Sequence, residues 1–245
     1  MGNISKALSY PFHFLFPNKR FTIAKQCDPS YTVNDSQKIP RILWQTNYSN
    51  SVSLPMYLNF LFNRLMSRGY EYRYASDDDI LDFFKTHASE EELKAYQKLN
   101  DGAAKADFWR LVVLYHIGGV YLDIDASFIW PLSKQIKEND DEIFLLNKEH
   151  YTNYFMATAP KNEIFKKAIE IVVQNIAEKK IAGGAYSLTG PEVVNSAIGD
   201  LKVNSRFYRY VCVQGAFTNE YFHYIDKKQG KWIHTKKEDI LKESE

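Results

Sequence analysis

Apolar residues recur at helical spacing along residues 103–117, and no Gly or Pro interrupts them. Gly118 and Gly119 follow. They predict the helix end, because glycine alone enters the left-handed C-terminal position cheaply. Val120, Tyr121 and Leu122 then form a short apolar run, the pattern of a buried strand. The strand should carry Asp123 and Asp125 at its far end, where side chains two apart point to the same side.

The same patterning divides the rest of the chain. Pro40 opens a short strand at 42–44. Residues 54–68 predict an amphipathic helix with apolar positions Leu58, Leu61, Phe62 and Leu65, capped by Gly69. Residues 70–74 alternate like a strand. Ser76 is an N-cap candidate, followed by Asp77, Asp78 and Asp79 at the positive end of a helix over 79–86, with a second helix over 90–99. After the central stretch come a strand at 143–146 and a helix over 162–179 with Ile164, Phe165, Ala168, Ile171 and Val172 on one side. Thr189 should cap a further helix that has Pro191 in its first turn. Alternating strands and helices define an α/β class. No repeat or long linker appears, so one domain over 37–245 follows an N-terminal arm of residues 1–36.

Composition changes this picture little. Hydrophobic residues at 45% and charged residues at 25% are ordinary for a globular chain, and a net charge of +1 argues against a nucleic-acid binder. The 17 Tyr and 16 Phe imply a well-filled core or stacking surfaces. Cys27 and Cys212 are too few for a disulfide framework and favour a reducing compartment. In the arm, Pro11 breaks an apolar run too short to span a bilayer. Phe12, Phe14, Leu15 and Phe16 with Lys6, Lys19 and Arg20 suit either a membrane surface, through residues 1–21, or packing on the domain or a second subunit.

Candidate chemistry centres on the acids. Two carboxylates held together repel unless a cation or proton sits between them. Asp107 and Arg110 are three apart and share a helical face that can approach the same acidic edge. Read as such a face, both should be replaceable without loss of the fold.

The stretch resembles the sugar-nucleotide signature of glycosyltransferase family 32, A-x-x-[SA]-D-x-x-R, an apolar helix, then G-G-x-Y-x-D-x-D. It is matched here by Ala103, Ala106, Asp107, Arg110, Gly118, Gly119, Tyr121, Asp123 and Asp125. The resemblance implies a GT-A-like α/β fold with a mixed central sheet flanked by helices. It also implies a metal-dependent, retaining hexosyltransferase. The nucleotide-diphosphate sugar would be the donor substrate, with Mn²⁺ or Mg²⁺ on Asp123 and Asp125. Asp107 and Arg110 would clamp the donor sugar, with Asp123 and Tyr121 beside them. The segment IPRILWQTNY resembles the family's first strand, placing Gln45, Thr46 and Tyr48 at the base, while Asn47 stands where the family has Trp. Asn153 becomes a sugar or acceptor contact. A late His-before-Trp order favours His223 over His234 as a further metal ligand.

The implied setting is a bacterial cytoplasmic enzyme, in part peripheral on the inner face of the membrane. It would use a glycan or lipid-linked acceptor in surface polysaccharide or lipopolysaccharide synthesis, or else modify a host protein as an effector. A haloacid-dehalogenase-like phosphatase, which also places D-x-D at a strand end, and a non-catalytic sugar-nucleotide binder are the other readings.

Overall fold

A computed structural model describes residues 2–32 and 36–242 of the 245. Its elements run α1 (Gly2–Leu15), β1 (Phe21–Thr22), β2 (Gln26–Cys27), β3 (Ile42–Thr46), β4 (Ser51–Val52), α2 (Leu54–Met66), β5 (Glu71–Ala75), α3 (Asp77–His87), α4 (Glu90–Lys98) and α5 (Gly102–His116). There follow β6 (Gly119–Leu122), β7 (Ala126–Phe128), α6 (Leu132–Gln135), β8 (Glu142–Asn147), β9 (His150–Thr158), α7 (Glu163–Ala177), α8 (Gly184–Leu188), α9 (Pro191–Ile198), β10 (Ser205–Phe207), β11 (Cys212–Gln214) and α10 (Glu220–His223).

Seven strands form one mixed sheet in the order β10-β8-β9-β6-β3-β5-β2. β3 runs parallel to both β5 and β6, and β9 runs antiparallel to β6 and β8. The C-terminal ends of β5, β3 and β6 therefore open on one edge, the usual ligand edge of such sheets. Small ribbons pair β1 with β4 and β7 with β11. Alternation along β6 feeds two cores. Tyr121 joins the residues of α3, α4, α5, α7 and α9 on one face, while Val120 and Leu122 join those of α2 and β7 on the other.

The glycine turn behaves as its sequence demands. Gly118 has φ +75° and Gly119 φ +105°. A Cβ on Gly119 would stand 2.8 Å from the Ile42 carbonyl oxygen, so the pair both turns the chain and lets β6 lie close to β3. Ser76 caps α3 in a full capping box with Asp79, which spends that acid on the backbone and on Lys25.

Residues 2–15 form the helix α1, with Pro11 inside it. Three local expectations need correction. α2 ends at Met66 with Ser67, not Gly69, as its cap, and Gly69 is absent from the positive-φ glycines. Thr189 closes α8, and Gly190 is the N-cap of α9. The largest change is the rotation of α2. Its buried side chains are Pro55, Met56, Asn59, Phe60 and Asn63, while Leu61 and Leu65 face solvent. The two asparagines face inward because the segment after β6 has backbone groups that no strand satisfies.

Candidate functional site: an acidic strand end around one guanidinium

α5 brings Arg110 beneath the open edge of the sheet. Asp101 caps the helix by accepting from the Ala104 amide at 2.8 Å, which fixes its start. Its side chains are buried on nearly every side, as befits the helix between the sheet and α7. Arg110 is only 4% exposed. Its guanidinium meets Asp107 Oδ1 at 2.8 Å and Asp123 Oδ1 at 3.2 Å, and donates to the Asn153 carbonyl at 2.7 Å. It lies 4.3 Å above the centre of the Tyr121 ring. This is no surface ion pair, so the expectation that Arg110 can be removed without cost to the fold does not hold.

The acids follow directly. β6 ends at Leu122, and Ala126 N–H donates to the Asp123 carbonyl at 3.0 Å, closing a turn over Asp123, Ile124 and Asp125. The two carboxylates therefore converge through a turn, not through strand alternation. Gln214, at the end of β11, shows this: its amide donates to Asp123 Oδ2 at 3.2 Å and to Asp125 Oδ1 at 3.3 Å. Nothing in the sequence marked Gln214. It arrives from 89 residues downstream through the pairing of β11 with β7, a ribbon too short to read by period.

The charges do not balance. Asp107 and Asp123 contact one guanidinium, and Asp125 sits beside Asp123 across the Gln214 amide. Burial, opposed by Arg110, pushes the Asp107 carboxyl up to about 7. Burial likewise raises Asp123 and Asp125, with repulsion from Asp125 adding to the shift of Asp123. Burial pulls Arg110 down, but Asp123 and its neighbours more than reverse that and hold it above the usual guanidinium value.

Most of the other predicted residues gather here. Asn153 is buried, and its amide donates to Asp107 Oδ1 at 2.9 Å. Tyr121 is 1% exposed and spends its hydroxyl on Asp123 Oδ1 at 2.9 Å, so it sits under the acid as support. Gln45, also buried, donates to the carbonyls of Leu122 and Asp123, and its own oxygen has no partner among the described residues. Thr46 bonds the Ala75 carbonyl. Tyr48 stacks on Tyr224 at 6.0 Å and donates to the His223 carbonyl at 3.1 Å. Trp44 is a core residue, donating to Gly118 O and meeting Trp109 edge-on.

His223 reaches the acids and His234 does not. His223 Nδ1 lies 4.0 Å from Asp125 Oδ2, and its Nε2 faces Asn47 Oδ1 at 3.1 Å. With Asn47 as acceptor, Nε2 carries the proton and the Nδ1 lone pair faces the acids. Burial drives the ring down to about 4, so it is neutral near pH 7. His234 is engaged with Glu220 at 2.6 Å. Among the described residues no group of three or more His, Cys, Asp or Glu side chains forms a metal cluster by itself. The donor set fits instead an ion that takes one or two carboxylates and completes its shell with phosphate and water. Asp123 Oδ2 and the Asp125 carboxylate receive a long amide contact from Gln214, with the imidazole beyond, and the charge surplus favours a cation.

The fold is a GT-A-like α/β fold, with the acidic site at the open strand ends. Residues 55–146 match the family model described as glycosyltransferase sugar-binding region containing DXD motif. The chain is 25% identical over 141 residues to the initiation-specific alpha-1,6-mannosyltransferase of Saccharomyces cerevisiae, covering 54% of this chain and 29% of that protein. It is 33% identical over 89 residues to the uncharacterized glycosyltransferase L373 of Acanthamoeba polyphaga mimivirus, covering 36% of each. The chain thus spans about a third of the length of these two relatives. Among solved structures, the PaToxG glycosyltransferase superposes with a TM-score of 0.53 at 16% identity, covering 80% of this chain and 78% of that one.

Proposed function

We propose that this domain moves a hexose from a nucleoside diphosphate sugar to a glycan acceptor with retained anomeric configuration, in surface polysaccharide or lipopolysaccharide synthesis. The observation that carries the reading is the excess of carboxylates over the Arg110 guanidinium at the open strand ends. In this reading Asp125 and Asp123 hold a divalent cation with His223 as a further ligand. A Mg²⁺ or Mn²⁺ held by these residues would supply the positive charge that a leaving diphosphate needs. Arg110 and Asp107 bind and orient the donor sugar, Asn153 fixes Asp107, and Gln45, Thr46 and Tyr48 receive the base. Panels of nucleoside diphosphate sugars with Mn²⁺ and glycan acceptors, read as released nucleoside diphosphate, test it. No release from any donor rejects the reading, and label that appears in host protein instead of glycan makes the domain an effector transferase.

His223→Ala is expected to raise the Mn²⁺ midpoint of donor turnover, and His234→Ala to leave it at the parental value. The reverse pattern assigns the wrong histidine. The exposed apolar residues Ile4, Leu8, Phe14, Leu15, Leu61 and Leu65 on α1 and α2 also support a peripheral membrane contact. Co-sedimentation with anionic vesicles is expected for the parent and lost in Leu8→Glu with Leu15→Glu. Equal partitioning of both proteins rejects the contact. No helix among the described residues is long and apolar enough to cross a membrane.

A further inference from the structure

We propose that α1 and the Arg20 that follows it are positioning elements for the acidic site, holding residues 215–226 closed over Asp123 and Asp125. The segment is what completes the site. It begins beside Gln214, whose amide bridges the two acids, and it carries His223. His223, Tyr224 and Tyr48 form a continuous stack, with His223 on Tyr224 at 4.2 Å and Tyr224 on Tyr48 at 6.0 Å. On its inner side it is tied to the domain by Gly215 N–H to Asp125 O, Ser53 Oγ to Phe222 O and Tyr48 Oη to His223 O. Its one regular element is the four-residue α10. Phe217 on Phe62 and the buried Phe222 add packing to these ties, so the segment's hold is shared between the domain beneath it and the elements outside it.

α1 and Arg20 supply the outer ties, and from Lys6 onward they follow the segment in chain order. Gly2 lies so close to Ala216 that a Cβ would stand 2.8 Å from its carbonyl oxygen. Lys6 Nζ donates to Gly215 O at 2.9 Å. The Tyr10 hydroxyl accepts from the Asn219 amide at 2.8 Å, and its ring meets Phe222 at 4.7 Å. His13 packs on Phe222 at 5.6 Å and accepts from the Leu54 amide, which joins α1 to α2 as well. Arg20 ends the series with two bonds of 2.7 Å to the carboxylate of Asp226. Its guanidinium is already oriented by the carbonyls of Pro17 and Lys19. A forked pair of this kind fixes direction as well as distance. The series holds both ends and the middle of the segment that carries the imidazole.

The test separates positioning from mere packing. Arg20→Ala, Lys6→Met and the charge swap Arg20→Asp with Asp226→Arg are compared with the parent. The first readout is amide hydrogen exchange of the donor-free protein, which needs no activity. Exchange is expected to accelerate at 215–226 in Arg20→Ala and Lys6→Met, to stay parental in α5, and to return to slow in the swap. The second readout is donor turnover, which rests on the proposed function. If the closed population falls to about one tenth, the apparent donor affinity falls about tenfold, so KM rises about tenfold with kcat unchanged. The swap is expected to restore KM. Unchanged exchange at 215–226, acceleration spread over the whole domain, or faster exchange with parental KM would each overturn the proposal. A parent that turns over no donor rejects the proposed function, and the exchange readout then decides the positioning role alone.

Discussion

Arg110→Ala is expected to lower turnover about a hundred- to a thousandfold, the usual loss when a donor aimed at developing charge is removed. It is also expected to melt well below the parent. Arg110 is buried and carries the balancing charge for Asp107 and Asp123, so its loss leaves two carboxylates facing each other around an empty guanidinium site. Breaking a buried ion pair costs about 3–5 kcal/mol, which in a domain of this size lowers Tm by roughly six to twenty degrees. Arg110→Lys keeps the charge but lacks the fork that reaches both acids and the Asn153 carbonyl, and should recover stability more than activity. Thermal melts and donor turnover of the two variants check this. Parental behaviour of Arg110→Ala in both would remove Arg110 from the site.

The second large effect concerns cations. Mn²⁺ or Mg²⁺ at about a hundred times its Kd should stabilise the domain by about 2.7 kcal/mol, a rise in Tm of several degrees, and EDTA should abolish turnover. The gain should depend on pH in a stated direction. Burial raises Asp123 and Asp125 above their ordinary values, so over the interval between the unfolded and folded values the folded state keeps protons that the unfolded chain has lost. The metal-free domain therefore loses this contribution as pH rises from about 4, and the cation, which needs ionised ligands, restores more of it at pH 8 than at pH 5. Asp125→Asn removes one repelling charge. It should be no less stable than the metal-free parent at pH 8 and should not respond to Mn²⁺. A parental Tm that ignores Mn²⁺ at both pH values would remove the cation from the mechanism.

How far the sequence could be read depended on whether neighbours along the chain set the structure. The helix of 103–117, the glycine turn and β6 are local, and their periods and φ requirements can be seen in the letters. So could the meeting of Asp107 and Arg110, which are one helical turn apart. The burial of Arg110 could not, because β6 and β9 cover it from other parts of the chain. Gln214 escaped for the same reason. The face of α2 was misread because periodicity counts apolar residues, and here two asparagines hold the inward positions. α1 makes its contacts with residues two hundred positions away.

Those asparagines make the acidic turn depend on a helix that carries none of the proposed catalytic groups. Asn59 donates to the carbonyls of Ile124 and Ala126 and accepts from the Ser127 hydroxyl. Asn63 donates to the Ala126 carbonyl and accepts from the Phe128 amide. Each supplies a donor and an acceptor from one side chain, in the place of the absent neighbouring strand. Aspartate has the shape but not the donor, and leucine has the volume but neither group. A change at either of these two internal positions of α2 would strand backbone groups between residues 124 and 128, whereas Leu61 and Leu65 on the same helix face solvent.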